Sequence, residues 1–305
     1  MKALNGLLAT TNFKINNPMH TAIYLLLFSL IPIVSFAQSD KLVTKGVVYA
    51  EADGHKLLLD IYKPSSNNNP YLIVWVHGGA WHSGSRETPP LSFVGSGYAL
   101  ASVDYRLSVD AKFPAQIHDI KAAIRYLRAN AAKYGYRSDK IIIAGSSAGG
   151  HLAALAGVTN NDKALEGNIG EYTTTSSSVQ AILDYYGPTN FTTILKQSTP
   201  HGVSVRGPAM ALLLGKTVDN IPDMARKASP VFQVDASDPP LLIFHGDQDI
   251  QVPINQSHEL VGAYKSHNLT VQMEVVYGAG HSDAPYFEPK YQQIAQAFLL
   301  AVLKN

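Results

Sequence analysis

Cysteine is absent from the 305 residues. That excludes disulfide bridges, thiolate metal sites and lipid attachment through a thiol, so an exported form would need no redox handling. Charge of one sign is lacking too: 24 Lys and Arg face 23 Asp and Glu, a formal net charge of +1. A chain so balanced carries no basic patch for nucleic acid and no strong field to steer an acidic substrate. There are no internal repeats, and the apolar stretch at residues 22–34 is shorter than the roughly 20 residues that a membrane-spanning helix needs. What is present is apolar content, 46% of residues against 15% charged, enough to bury a large core and too much for a disordered or fibrous chain.

The stretch Ala22 to Val34 leads into Ser35-Phe36-Ala37-Gln38, a small-x-small cleavage pattern. Residues 1–37 therefore read as a secretory signal peptide, the alternative being a retained anchor. The product is expected to be secreted or periplasmic, with no stable membrane anchor after signal removal. Only Lys14 supplies the basic region nearby, which makes Met19 a candidate for the true initiator. Cleavage removes Lys2 and Lys14 and no acid, taking the formal net charge from +1 to −1.

From Gln38 onward short β-rich runs alternate with longer helical patterns, the signature of a mostly parallel sheet covered on both faces. Strands are expected near 43–50, 57–62, 71–76, 98–103, 140–144, 180–185, 241–245 and 271–276. The first two suit a hairpin, because Ala52-Asp53-Gly54 supplies turn chemistry between them. Ile117, Ile120, Ile124, Leu127 and Ala131 repeat at helical spacing, which predicts a helix over 114–133, stopped by Gly135. A second amphipathic helix is expected over 286–303. Residues 160–178 read as a polar surface loop. Residues 190–240 read as an insertion after the sixth strand, a small lid or substrate wall, with a short helix at Ala209 to Leu214; a crossover helix with long loops is the alternative. Residues 38–305 thus form one expected domain.

The most informative motif is Gly145-Ser146-Ser147-Ala148-Gly149, between the apolar run Lys140 to Ala144 and the Ala-rich stretch from His151 to Ala156. Strand, sharp turn and helix would hold the Ser147 hydroxyl beyond the strand end, where an acyl-transfer nucleophile belongs. A serine needs an imidazole to take its proton and an acid to orient that imidazole. His281, in Tyr277-Gly278-Ala279-Gly280-His281-Ser282, follows the last strand; Asp249, in His245-Gly246-Asp247-Gln248-Asp249, follows the one before. Asp247 and Asp184 are rival acids. His151, one helical turn after Ser147, reads as structural, as do His77 and His245, which precede glycines at strand ends; Ser146 reads as a packing residue of the turn. The loop His77-Gly78-Gly79-Ala80-Trp81 follows the third strand and offers backbone amides for a developing oxyanion, with Ala148.

Taken together, His77 to Trp81, Asp104-Tyr105-Arg106-Leu107-Ser108, Phe113 to Ile117 with Asp119, Gly145 to His151, Asp184-Tyr185-Tyr186-Gly187-Pro188, His245 to Asp249 and Gly278 to His281 span nearly all of the chain after residue 37. In that order they resemble the α/β-hydrolase esterases, in particular the group related to hormone-sensitive lipase and the bifunctional feruloyl and acetyl-xylan esterases. The resemblance implies an α/β-hydrolase fold built on an eight-stranded, mostly parallel sheet. It implies Ser147 as nucleophile, His281 as base, Asp249 as orienting acid, and the amides of Gly79, Ala80 and Ala148 as the oxyanion hole. It implies no metal and no organic cofactor, and as substrate a small ester or a polysaccharide-linked one, acetyl or feruloyl. One departure is visible: Ala80 stands where the family often has glycine, which restricts φ at that amide. Arg106 and Asp119 are candidates for a partly buried ion pair. Trp81, Tyr105, Tyr185 and Tyr186 flank the motif loops and are candidates for an aromatic substrate wall, core packing being the alternative for each. A serine peptidase of the prolyl-oligopeptidase type shares this domain and has similar acid and histidine loops, although that type usually carries a large β-propeller. A non-catalytic binding protein on the same fold would be expected to lack one of the three partners.

Overall fold

Tyr71–Val76 is apolar at every position, a composition that suits only a strand covered on both faces. The computed structural model, which describes residues 41–160 and 162–304, places it in the middle of one sheet. The strands are β1 Lys41–Ala52, β2 His55–Pro64, β3 Tyr71–Val76, β4 Ala99–Val103, β5 Arg137–Ser146, β6 Ala181–Tyr185, β7 Leu241–Gly246 and β8 Val271–Val276, in the order β1-β2-β4-β3-β5-β6-β7-β8. All eight fall where the sequence puts them. β1 pairs with β2 and β2 with β4 antiparallel, and every other pairing is parallel. The first hairpin turns through Asp53 and Gly54, both at positive φ, 49° and 78°. The signal-peptide reading of residues 1–37 lies outside the described residues; among those described, no helix is long and apolar enough to cross a membrane.

Side chains of the central strands alternate between two cores. Leu72, Val74 and Val76 of β3 join Ile141 and Ile143 of β5 on one face, while Ile73 and Trp75 join Ile142 and Ala144 on the other. Each such fully buried aliphatic chain contributes about 1.5–3 kcal/mol. The first face is covered by α1 Ala115–Ala129 and α2 Ala148–Gly157, with α3 Pro200–Leu214 and α4 Asn255–Ser266 contributing Met210, Leu213, Leu260 and Tyr264. The second is covered by α5 Pro289–Lys304 through Phe298, Leu299 and Leu303. Every residue of α2 is buried, and its small side chains let it lie directly on β5 and β6.

Three expectations need correction. The helix predicted over 114–133 ends at Ala129: Asn130 turns the chain, with its side-chain amide donating back to the Tyr126 carbonyl, before a single turn at Ala131–Tyr134 and the expected stop at Gly135, φ 72°. The 160–178 segment is more than a polar surface loop. It holds a helical turn, Lys163–Glu166, whose Leu165 is buried and whose Glu166 carboxylate receives Lys121 and Arg125, two buried cations of α1. The short helix predicted at 209–214 is the end of the fifteen-residue α3, which continues through Pro208.

Candidate active site

Parallel strands bring their carboxyl ends to one edge of the sheet, and the loops that leave β3, β5, β6, β7 and β8 meet there. β5 ends at Ser146 and α2 begins at Ala148, so Ser147 alone carries the turn, at φ 55° and ψ −119°. Such a backbone costs about 1–3 kcal/mol and persists only where its neighbours fix it. Here the Ser147 amide donates to the Tyr185 carbonyl at 2.8 Å and the His151 amide to the Ser147 carbonyl at 3.0 Å. Gly149 completes the constraint: a Cβ there would collide with the Val76 and His77 carbonyl oxygens.

His281 Nε2 lies 2.8 Å from Ser147 Oγ, and His281 Nδ1 lies 2.6 Å from Asp249 Oδ2. A carboxylate only accepts, so the proton sits on Nδ1 and the lone pair of Nε2 faces the serine. Asp249 is fixed in turn by the amides of Gln251 and Val252, which donate to Oδ1 at 2.8 and 2.9 Å. Burial opposes its ionisation, but hydrogen bonds from His245 and His281 and the charge of His281 outweigh it and hold the carboxyl well below its ordinary value. Burial also pushes His281 down; hydrogen bonding to Asp249 opposes this, while Arg206 and His245 add to it, so the imidazole is neutral and able to accept at neutral pH. The rival acids are turned elsewhere. Asp247 accepts from the Gly278 amide at 2.6 Å, and Asp184 from the Gly187 amide at 2.9 Å.

The β3 loop lies against this turn. A Cβ on Gly78 would stand 2.9 Å from the Ser146 carbonyl and 3.4 Å from Ser147 Cβ. Gly79, Ala80 and Trp81 hold φ of 107°, 49° and 61° in succession. Ala80 therefore adopts a left-handed conformation of the kind glycine takes without strain, and it keeps its N–H.

A family profile, BD-FAE, matches residues 59–264, more than half of the chain. The chain belongs to the BD-FAE family. Among curated proteins it is 33% identical over 232 residues to Esterase LipC of Mycobacterium tuberculosis, covering 73% of this chain and 56% of that one. This chain spans about half the length of the curated relatives it matches. A solved structure described as a truncated form of carbohydrate esterase from gut microbiota superposes with a TM-score of 0.78 at 34% identity, over 87% of this chain and 97% of the other. Thermogutta terrifontis esterase 2 phosphorylated by paraoxon superposes with a TM-score of 0.68 at 28% identity, over 85% and 94%. The fold is that of an α/β-hydrolase esterase.

Within this BD-FAE site all four candidates for an aromatic wall, Tyr186 included, are buried side chains. Trp81, Tyr105 and Tyr185 are buried: Trp81 donates to His151 Nδ1 at 3.1 Å, Tyr105 stacks on His77 at 4.4 Å, and Tyr185 stacks between Phe244 and Phe287. Tyr186 packs its ring edge to face against His281, 4.9 Å between centroids. It also borders a cleft of about 530 Å³, together with Trp75, His77, Ser146, Ser282 and Phe287. Half-buried Ser146 lies against Gly78 and hydrogen-bonds the Tyr186 side chain at the border of this cleft. A larger groove of about 690 Å³, between α5 and the starts of β5 to β8, lies at the opposite edge of the sheet and touches none of these groups.

His151 is structural. Its Nδ1 accepts from Trp81 while Nε2 donates to the Ala228 carbonyl at 2.7 Å, and burial lowers its pKa to about 4. The expected Arg106–Asp119 pair forms and is multiply bonded, at 2.6 to 3.2 Å. What the sequence did not reveal is Arg206. It reaches from α3 in the insertion to His281 Nε2 at 3.3 Å, and nothing in its own surroundings, Ser204-Val205-Arg206-Gly207, marks it.

Proposed function

We propose that this chain is an exported serine carboxylesterase acting through Ser147, His281 and Asp249, with acetyl or feruloyl esters on plant polysaccharide as its natural substrates. The hydrogen-bonded line Ser147 Oγ, His281 Nε2, His281 Nδ1, Asp249 Oδ2 carries the reading. Ser147 Oγ attacks the ester carbonyl as its proton passes to Nε2. The amides of Gly79, Ala80 and Ala148 receive the charge that forms on the carbonyl oxygen, where loss of one donor typically costs about 10²–10³ in rate. The carbon–oxygen bond to the alcohol then breaks, and the alkoxide leaves with the proton from Nε2. Water, deprotonated by the same nitrogen, cleaves the acyl-serine and restores the free hydroxyl.

The polysaccharide reading is supported by the family and by a solved neighbour described as a carbohydrate esterase; the cleft beside Tyr186, lined by Ser146 and Ser282, the chain neighbours of Ser147 and His281, is the space this reading gives to the substrate. Export rests on residues 22–38, and amino-terminal sequencing of the secreted protein should begin at Gln38. Ser147→Ala should lose fluorophosphonate labelling and ester turnover; retention of both would refute the assignment. A panel of 4-nitrophenyl acetate, butyrate and octanoate, methyl ferulate and acetylated xylan, with a prolyl amide as the peptidase control, identifies the ester class.

A further inference from the structure

Arg206 is 2% exposed, yet among the described residues it forms no salt bridge. Its Nε and Nη2 donate to the Gln251 carbonyl and Gln251 Oε1 at 3.3 and 2.9 Å, and Nη2 approaches His281 Nε2 at 3.3 Å. Among the described residues Nη1 has no hydrogen-bond partner. The carboxylate that acts on it electrostatically, Asp249, is turned to His281. A buried guanidinium ordinarily has its fork filled by a carboxylate or phosphate, and an uncompensated one is a burden that folding alone gives no reason to keep.

Its position fixes what could fill the fork. Nε2 is the atom that returns a proton to the departing alcohol, so a group in contact with Nε2 borders the alcohol half of the ester. The acyl oxygen lies toward the Gly79 and Ala80 amides instead. Without substrate, Arg206 and Ser147 both donate toward the single lone pair of Nε2. An anion that draws the guanidinium to itself leaves that lone pair to Ser147. Half-buried Gln251, which holds the fork through one side-chain oxygen, is the group such an anion would displace.

We propose that Arg206 is a specificity residue that binds a carboxylate carried on the alcohol half of the ester, as on an acylated sugar acid. The proposal rests on the reading of Ser147 and His281 given above and names the substrate class within it. The test is the ratio of kcat/KM for 4-acetoxybenzoate to that for its neutral methyl ester, in the wild type, Arg206→Met and Arg206→Lys; comparing ratios cancels the intrinsic reactivity of the two leaving groups. The ratio should fall at least tenfold in Arg206→Met and by less in Arg206→Lys, which keeps charge but not the fork. An equal ratio in all three proteins overturns the proposal. So does an effect confined to the acyl side, seen as a changed ratio of mono-4-nitrophenyl succinate to 4-nitrophenyl butyrate with the acetoxybenzoate ratio unchanged. Should the variants fail to fold, product inhibition of the wild type decides: 4-hydroxybenzoate should inhibit more strongly than methyl 4-hydroxybenzoate, and equal or weaker inhibition refutes the assignment. Fluorophosphonate labelling of Ser147 and turnover of 4-nitrophenyl acetate report separately on the esterase reading.

Discussion

His281 serves as a base only while it is neutral, and its surroundings favour that state. Burial comes first among the causes, with Arg206 and His245 adding to it and Asp249 opposing, and the net displacement is below the ordinary 6.5. Protonation removes the lone pair that Ser147 needs, so activity must be lost on the acid side. The kcat/KM profile should be level near pH 7 and fall with an apparent pKa under 6.5; an acid limb centred above pH 7 would contradict this. Asp249→Asn should lower kcat by about 10⁴-fold, the cost of losing the acid that fixes the imidazole tautomer. Asp184 titrates in the opposite sense. Burial raises its pKa to about 6, against which the Gly187 amide and His245 act only partly, and Oδ2 has no hydrogen-bond partner among the described residues. Because its folded pKa exceeds the ordinary 3.8, the stability it contributes is complete below that value and is lost as pH rises through about 6. Urea unfolding of Asp184→Asn should therefore show a shallower decline in stability between pH 4 and 7 than the wild type.

The β5–α2 unit is fixed by contacts too close for any side chain. Gly149→Ala would place a methyl group against the Val76 and His77 carbonyls, and overpacking of this kind costs about 1–3 kcal/mol. Thermal unfolding should show that loss, together with slower labelling of Ser147 as the turn is displaced. Elements like this were legible because their sequence has a single physical use: an unbroken apolar run, a turn of small residues, then a helix apolar all round. The 160–178 segment was not legible, since its polar composition hid a structural duty. Lys121 and Arg125 are buried on α1, and the carboxylate that meets them comes from Glu166, about forty residues later. Only the assembled fold shows that such a pairing is required.

Long-range ties of the same kind hold the whole molecule together. Arg106, at the exit of β4, bonds Asp119 of α1 and reaches Asp53 in the first hairpin at 2.5 Å. Arg106→Met would strand the fully buried Asp119, and breaking a buried pair from one side costs about 3–5 kcal/mol, which urea denaturation would measure. That pair was legible, and so was the Ser147, His281 and Asp249 constellation, because each member sits in a turn at a strand end whose chemistry is unusual for its place. Arg206 was not, because it lies within an ordinary stretch of helix and acquires significance only when α3 folds over the sheet edge beside a loop 75 residues further on.

Trp81 on the β3 loop, His151 on α2 and the Ala228 carbonyl at the end of the insertion form one continuous hydrogen-bonded rail. A pKa of about 4 keeps the central imidazole uncharged through the neutral range, so the rail holds its donor order there. The segment between Ile194 and Lys227, which carries Arg206, is thus clamped at its far end to the amide loop through α2, so a displacement of that end is transmitted to the backbone beside Ser147 rather than absorbed in solvent.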